Sequence, residues 1–113
     1  MNAFLLVGGG GVLGALARYA VDRRLAGRRG TVVVNVLGSV VLGSLTATPL
    51  GTSAMLVVGA GFCGAFTTFS SFAVDVAEFV ENGEWRLAAG YAGGTLAAAL
   101  VGVVVGSWLG RVA

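Results

Sequence analysis

The chemistry in this chain is concentrated in Gly61–Phe72, GFCGAFTTFSSF, where glycines, hydroxyls and phenylalanines interrupt a sequence otherwise built for hydrocarbon. Phe69 and Phe72 stand three apart and share a helical face, and a phenyl ring has a positive edge that can meet an anion without offering it a full opposite charge. Asn35, Ser39, Thr68, Ser70, Ser71, Tyr91 and Thr95 supply N–H and O–H donors. Together these groups can replace an anion's hydration shell piece by piece. Conduction requires binding weak enough for exit, and no arginine or lysine lies between Arg29 and Arg86 to trap an anion. The Gly-x-x-Gly and the Thr-Thr pair also point to a broken helix, and in lipid each backbone group freed by a break must find an internal partner. Unwound carbonyls suit a hard cation such as Na⁺. Taken one at a time, these features also fit plain packing: two phenylalanines can face lipid, an intramembrane asparagine can join two helices, and hydroxyls can bond back to their own helix.

Composition fixes the surroundings of this stretch. The 113 residues are 57% hydrophobic and 11% charged, with no histidine and one cysteine, whereas soluble domains carry about a quarter charged residues. A spanning helix takes roughly 20 apolar residues, so the chain holds four spans and little else. Four thin helices enclose a polar path poorly, which makes an oligomer the expectation. The lone Cys63 excludes an internal disulfide and, without histidine, the usual zinc or haem sets; it reads as a small packing residue. Residues 1–17 are expected to be a retained helix and not a signal peptide, because the arginines follow the apolar segment instead of preceding it.

In chain order, the spans are predicted at 3–21, 31–47, 52–80 and 86–109 of a single domain, 1–113, in an all-α membrane fold. Gly10 and Gly14 are spaced for close helix approach, with Arg18 one turn further on the same face. The loop 22–30 carries Arg23, Arg24, Arg28 and Arg29. Asn35, Ser39 and Gly43 recur every four residues and line one face of the second span, and Pro49 lies in the turn that ends it. The third segment would reach about 45 Å as one helix, more than the roughly 30 Å apolar core, so a break is predicted near 64–68. Gly90, Gly94, Gly102, Gly106 and Gly110 give the last span a small-residue stripe, and Trp85 and Trp108 sit at its ends as interfacial anchors.

GGVLGALARY at Gly10–Tyr19, GTVVVNVLGSVVLG at Gly30–Gly43 and GFCGAFTTFSSF together resemble the signature blocks of the small bacterial fluoride channel family, Fluc or CrcB, in order and spacing over essentially the whole chain. The resemblance implies an antiparallel, dual-topology dimer with two fluoride pores and a structural, untransported Na⁺ at its centre. It assigns that ion to the backbone carbonyls of Gly64 and Thr67. It assigns the pore to Phe69, Phe72, Asn35, Ser70, Ser71, Tyr91 and Thr95, and a vestibule role to Arg18. Ala99 stands where the fourth-helix polar track often has a serine, Ser71 where threonine is usual, Val40 where phenylalanine is frequent, and Asp75 where glutamate is common. The function implied is passive F⁻ export from the cytoplasm across the bacterial cell membrane, without enzymatic activity.

Other readings are a small multidrug-type exporter and a non-transporting membrane assembly subunit. The first needs a carboxylate in the first span, and 1–21 has none; the second leaves the polar face of Asn35 and Ser39 without a purpose. Asp75 and Glu78 are expected to pair with Arg18 or the arginine loop and not to carry protons. The arginine bias places both termini outside. A chain inserting both ways would have balanced loops, so the bias also raises a heterodimer with an oppositely inserted paralogue beside the antiparallel homodimer.

Overall fold

The computed structural model describes residues 2–112, and the elements run α1 (Ala3–Arg24), α2 (Arg28–Thr46), α3 (Thr52–Ala54), a π-helical segment (Met55–Cys63), α4 (Gly64–Phe66), α5 (Phe69–Glu81) and α6 (Trp85–Val112). The described residues contain helix and no strand. Four segments are long and apolar enough to cross a membrane: Ala3–Arg24, Arg28–Thr46, Thr52–Glu81 and Trp85–Val112. The long axis measures 49 Å, which matches a bilayer with its headgroup regions, about 40–45 Å.

The helices run past the predicted apolar limits into the charged segments. α1 continues through Arg23 and Arg24, whose cations suit the negative end of the helix dipole, and the predicted loop 22–30 shrinks to Leu25, Ala26 and Gly27. Gly27 takes φ 72°, a left-handed conformation that reverses the chain without a Cβ clash. Gly83, at φ 75°, does the same between α5 and α6. At the start of the chain the Asn2 side chain accepts the Phe4 N–H at 2.7 Å and caps α1.

Packing is backbone against backbone, in two pairs. α1 lies on the π-helical segment, where a Cβ at Gly10 would overlap the Val57 carbonyl and one at Gly14 the Phe62 carbonyl. α2 lies on α6, where a Cβ at Gly43 would overlap Val103, one at Gly106 would overlap Val40, and one at Gly110 would overlap Ser44. Lipid is as apolar as leucine, so such contact helices associate through close van der Waals approach and not through hydrophobic burial. The glycine spacing thus marks the true interfaces for Gly10, Gly14, Gly102, Gly106 and Gly110. Gly90 and Gly94 differ, since nothing in the chain lies within 4 Å of a Cβ there. α6 passes α5 at that level with no close backbone neighbour, and the stripe stops being an intrachain seam. Val34 and the smaller Cys63 and Ala88 are buried, while Leu13, Leu16, Leu96 and Leu100 are exposed on the outer surface.

Gly106→Ala tests the second seam. Its methyl would meet the Val40 carbonyl carbon at 2.8 Å, and overpacking of this kind costs about 1–3 kcal/mol, so the detergent-solubilised protein should melt measurably below wild type. An unchanged melting curve would show that the α2–α6 approach is looser than described.

Candidate functional site

The site is assembled where the backbone of the third span leaves the helical conformation. Gly64 through Phe66 remain helical, and extended backbone is confined to Thr67 (φ −80°, ψ 162°) and Thr68 (φ −146°, ψ 120°) before α5 begins. The interruption is therefore narrower than the predicted 64–68.

Its hydrogen bonds can be followed group by group. The Asn35 amide faces Thr68 in both directions: Nδ2 donates to the Thr68 carbonyl at 3.0 Å, and Oδ1 accepts the Thr68 N–H at 2.8 Å. Thr68 Oγ1 in turn accepts the Ser71 N–H at 3.1 Å and caps α5. Thr67 Oγ1 donates to the Cys63 carbonyl at 2.9 Å. In a continuous α-helix the Thr68 N–H would go to the Gly64 carbonyl and the Ser71 N–H to the Thr67 carbonyl. Both donors are diverted, one to Asn35 and one to Thr68 Oγ1. Several carbonyls lose their helical donors at the interruption, and those of Gly64 and Thr67 are among them. Neutral carbonyl oxygens are suitable ligands for a hard monovalent ion, whereas the described residues hold no group of three or more His, Cys, Asp or Glu that could bind a metal.

On the other side of the interruption lies an aromatic row. Phe69 and Phe72 have ring centroids 6.0 Å apart, Phe72 stacks on Tyr91 at 5.6 Å, and Tyr91 meets Phe79 at 5.8 Å. Arg28 closes the row, its guanidinium 3.9 Å from the Phe79 centroid and 3.8 Å from Glu78 in an ion pair. Glu78 thus meets the arginine loop, as expected from the sequence. Asp75 does not: it accepts the Tyr91 hydroxyl at 2.7 Å.

Two cavities flank Thr68. The first, about 450 Å³, is lined by Asn35, Gly64, Thr67, Phe69, Phe72 and Thr95, with Ala99 and apolar neighbours. The second, about 340 Å³, is lined by Ser70, Ser71, Thr31, Asp22 and Asp75. Thr68 Oγ1, on the wall of the first, and Ser70 Oγ, on the wall of the second, lie 3.3 Å apart. Of the ten residues that the family resemblance assigns, eight therefore line one cavity or the other, while Arg18 and Tyr91 line neither.

Fewer donors face the cavities than the residue types promised. The Ser39 hydroxyl donates to the Asn35 carbonyl one turn back, and the Tyr91 and Thr67 protons are held by Asp75 and Cys63. Back-bonding of hydroxyls to their own helix is the ordinary competitor in apolar surroundings. Gly38, Thr31 and Asp22 belong to these walls and were not singled out. Gly38 carried a signal, three residues after Asn35 on the same helical face. Asp22 and Thr31 meet only through the α1–α2 reversal and had none.

A chain with four spanning-capable helices and a cavity lined by phenylalanine, amide and hydroxyl residues at a helix interruption is a small multi-pass membrane protein. It belongs to the CrcB-like family: the family model described as "CrcB-like protein, Camphor Resistance (CrcB)" matches residues 5–107. It is similar to the "Fluoride-specific ion channel FluC 2" of Natronomonas pharaonis, 51% identical over 108 residues that cover 94% of this chain and 92% of that protein. It is also similar to the "Fluoride-specific ion channel FluC 1" of Halobacterium salinarum, at 44% identity over 93% of this chain and 90% of the relative. The protein of that same name from Geobacillus kaustophilus is 41% identical, with 97% and 96% covered.

Asn35→Leu would leave the Thr68 N–H and carbonyl without their side-chain partners, and each unsatisfied group costs about 1–3 kcal/mol. The expected outcome is a lower melting temperature together with altered hydrogen exchange at the Thr68 amide. Exchange and stability identical to wild type would show that the two-way bond does not hold the interruption.

Proposed function

We propose that the chain is a fluoride-selective ion channel that lets F⁻ leave the cytoplasm passively, and that it is not an enzyme. The observation that carries this reading is the match, over more than nine-tenths of the chain, to relatives named fluoride-specific ion channels, combined with a cavity that offers an anion phenyl edges and neutral donors. Asn35 Nδ2 has a second N–H beyond the one given to Thr68, and Thr95 contributes a hydroxyl to the same wall. Phe69 and Phe72 face the ion with ring edges, weak enough for release. The Thr68–Ser70 pair carries it toward the second cavity and the hydroxyls of Ser70 and Ser71. Arg18 serves outside these walls, at the vestibule, and Tyr91 acts through Asp75 and through its stack on Phe72.

The working assembly is an antiparallel dimer in which the interrupted third spans meet at the centre. Phe69 supports this reading, being 80% exposed in the single chain, an odd situation for a pore-lining ring unless a second subunit covers it. The carbonyls of Gly64 and Thr67 from each subunit would hold Na⁺ there, and the ion would supply fixed positive charge against converging carbonyl dipoles. The break lies at membrane depth, and both termini of this chain lie outside. Six of the seven arginines, Arg86 included, belong to one membrane end, leaving only Arg111 at the other, so the partner is an oppositely inserted paralogue where one is present. Relatives bearing the numbers 1 and 2 fit such pairing.

Efflux from fluoride-loaded liposomes, followed with a fluoride electrode, tests the reading. Rapid F⁻ release with negligible Cl⁻ flux is expected, and Phe69→Ile and Asn35→Asp should depress it while the dimer persists. Comparable Cl⁻ flux, or full conduction by both variants, would overturn the pore assignment. A stable, active homodimer from this chain alone would rule out obligate pairing.

A further inference from the structure

We infer that Gly38 is the positioning residue for the Thr67 carbonyl, and that α2 thereby builds a cation site to which it gives no ligand. The inference rests on the structural Na⁺ proposed above and concerns what holds its carbonyls in place.

Gly38 is buried, and a Cβ built on it would overlap the Thr67 methyl, Cγ2, and approach the Phe66 ring at 3.6 Å. These two residues are the last helical residue of α4 and the first extended one. The missing side chain on α2 is the seat into which the turn of chain drops. One turn away on the same face, Asn35 grips the next residue, Thr68, by both its N–H and its carbonyl. Thr67 is fixed from its own helix as well, since its N–H and its hydroxyl both go to the Cys63 carbonyl, at 3.1 and 2.9 Å. With Oγ1 tied to Cys63, the rotamer of Thr67 is set, and Cγ2 has to occupy the space over Gly38. A methyl group on Gly38 can be accommodated only by moving Thr67, and its carbonyl moves with it. Glycine is otherwise a poor choice inside a helix, where alanine is favoured by about 1 kcal/mol. Gly43, further along α2 and turned toward α6, is accounted for by the α6 backbone. Gly38 faces no other helix backbone and is accounted for by Thr67 alone.

The side-chain overlap suggests its own rescue. Thr67→Ser keeps the hydroxyl that donates to Cys63 and removes only the methyl that collides with residue 38. The readout is Na⁺-dependent stabilisation of the purified full-length dimer: melting temperature and dimer fraction on size exclusion, titrated with NaCl against N-methylglucamine chloride at constant ionic strength. An ion that binds only the assembled form raises its stability with concentration. Gly38→Ala is expected to shift the half-maximal Na⁺ concentration upward by about tenfold or more, the equivalent of a modest overpacking penalty. Thr67→Ser alone sets the baseline for the rescue, and the Gly38→Ala/Thr67→Ser double variant should return most of the way to that baseline. Gly43→Ala, which collides with α6, should lose stability in a way that Thr67→Ser does not restore.

A Gly38→Ala dimer with wild-type Na⁺ response overturns the inference. So does failure of Thr67→Ser to rescue, whether Gly38→Ala is merely weakened or does not assemble. If the wild type itself shows no Na⁺ response, the cation reading falls and this inference with it, an outcome distinct from a responsive wild type with an indifferent Gly38→Ala.

Discussion

The two-way bond between the Asn35 amide and the Thr68 backbone is the constraint on which the site depends. In a bilayer no water is available to satisfy an opened helix, and each orphaned backbone group costs several kcal/mol. A chain that interrupts a spanning helix must therefore bring its own replacement partners. One primary amide is the smallest side chain that presents a donor and an acceptor side by side, matching a single extended residue. Its effect extends beyond Thr68. Taking that N–H away from Gly64, while Thr68 Oγ1 takes the Ser71 N–H away from Thr67, leaves carbonyls of the interrupted turn, these two among them, without their helical donors. The satisfaction of one residue creates the polarity of its neighbours.

That device works only if α2 can reach the third span, which explains where the bulk lies in this molecule. Side chains are small wherever two backbones meet: glycines separate α1 from the π-helical segment and α2 from α6. The large apolar residues are turned outward, with Phe4, Leu5, Leu96 and Val104 all more than 60% exposed. In water this would be an inverted protein. In hydrocarbon, burial of leucine gains nothing, and close approach of main chains is what holds helices together. The π-helical segment fits this picture. π turns are uncommon and occur mostly near functional sites, and here the widened turns run along the glycines of α1 immediately before the interruption.

Much of this was legible in the sequence, and the remainder was hidden for identifiable reasons. Hydropathy gave four spans, and the regular spacing of Gly10 and Gly14, or of Gly102 and Gly106, gave the seams, because both depend only on local period. Asn35 was recognisable as important since a lone amide in lipid requires a partner. Which partner it takes was not readable, because that depends on the register of α2 against the third span, and its target is a backbone group, identical in every residue. The hydroxyls misled in the opposite direction. Ser39 looks like a pathway donor by type, yet it satisfies a carbonyl four residues earlier, a local choice that residue identity does not reveal. Tyr91 and Asp75, sixteen residues apart, meet because α5 and α6 form a hairpin through Gly83, and the sequence offered only an arginine partner for that acid.

The charge distribution decides how an anion can approach such a site at all. All five acidic residues and six of the seven arginines fall in or next to the α1–α2 and α5–α6 connections, which the alternation of spans brings to one membrane face. By arginine count that end is strongly biased, and arginine count is what orients a membrane protein. By net charge it is nearly balanced, because Asp22, Asp75, Glu78, Glu81 and Glu84 offset all but one of the six. The two measures serve different needs. A mouth of uncompensated arginines would hold an anion too tightly to release it, and one lined by Asp22 and Asp75 alone would turn it away. Arg28 shows how the balance is kept: it is paired with Glu78 and laid over Phe79, so its charge anchors the aromatic row. The Asp75 carboxylate is likewise occupied by the Tyr91 hydroxyl. Charges at this end orient and brace the helices, which in the proposed channel leaves neutral donors and ring edges to meet the ion.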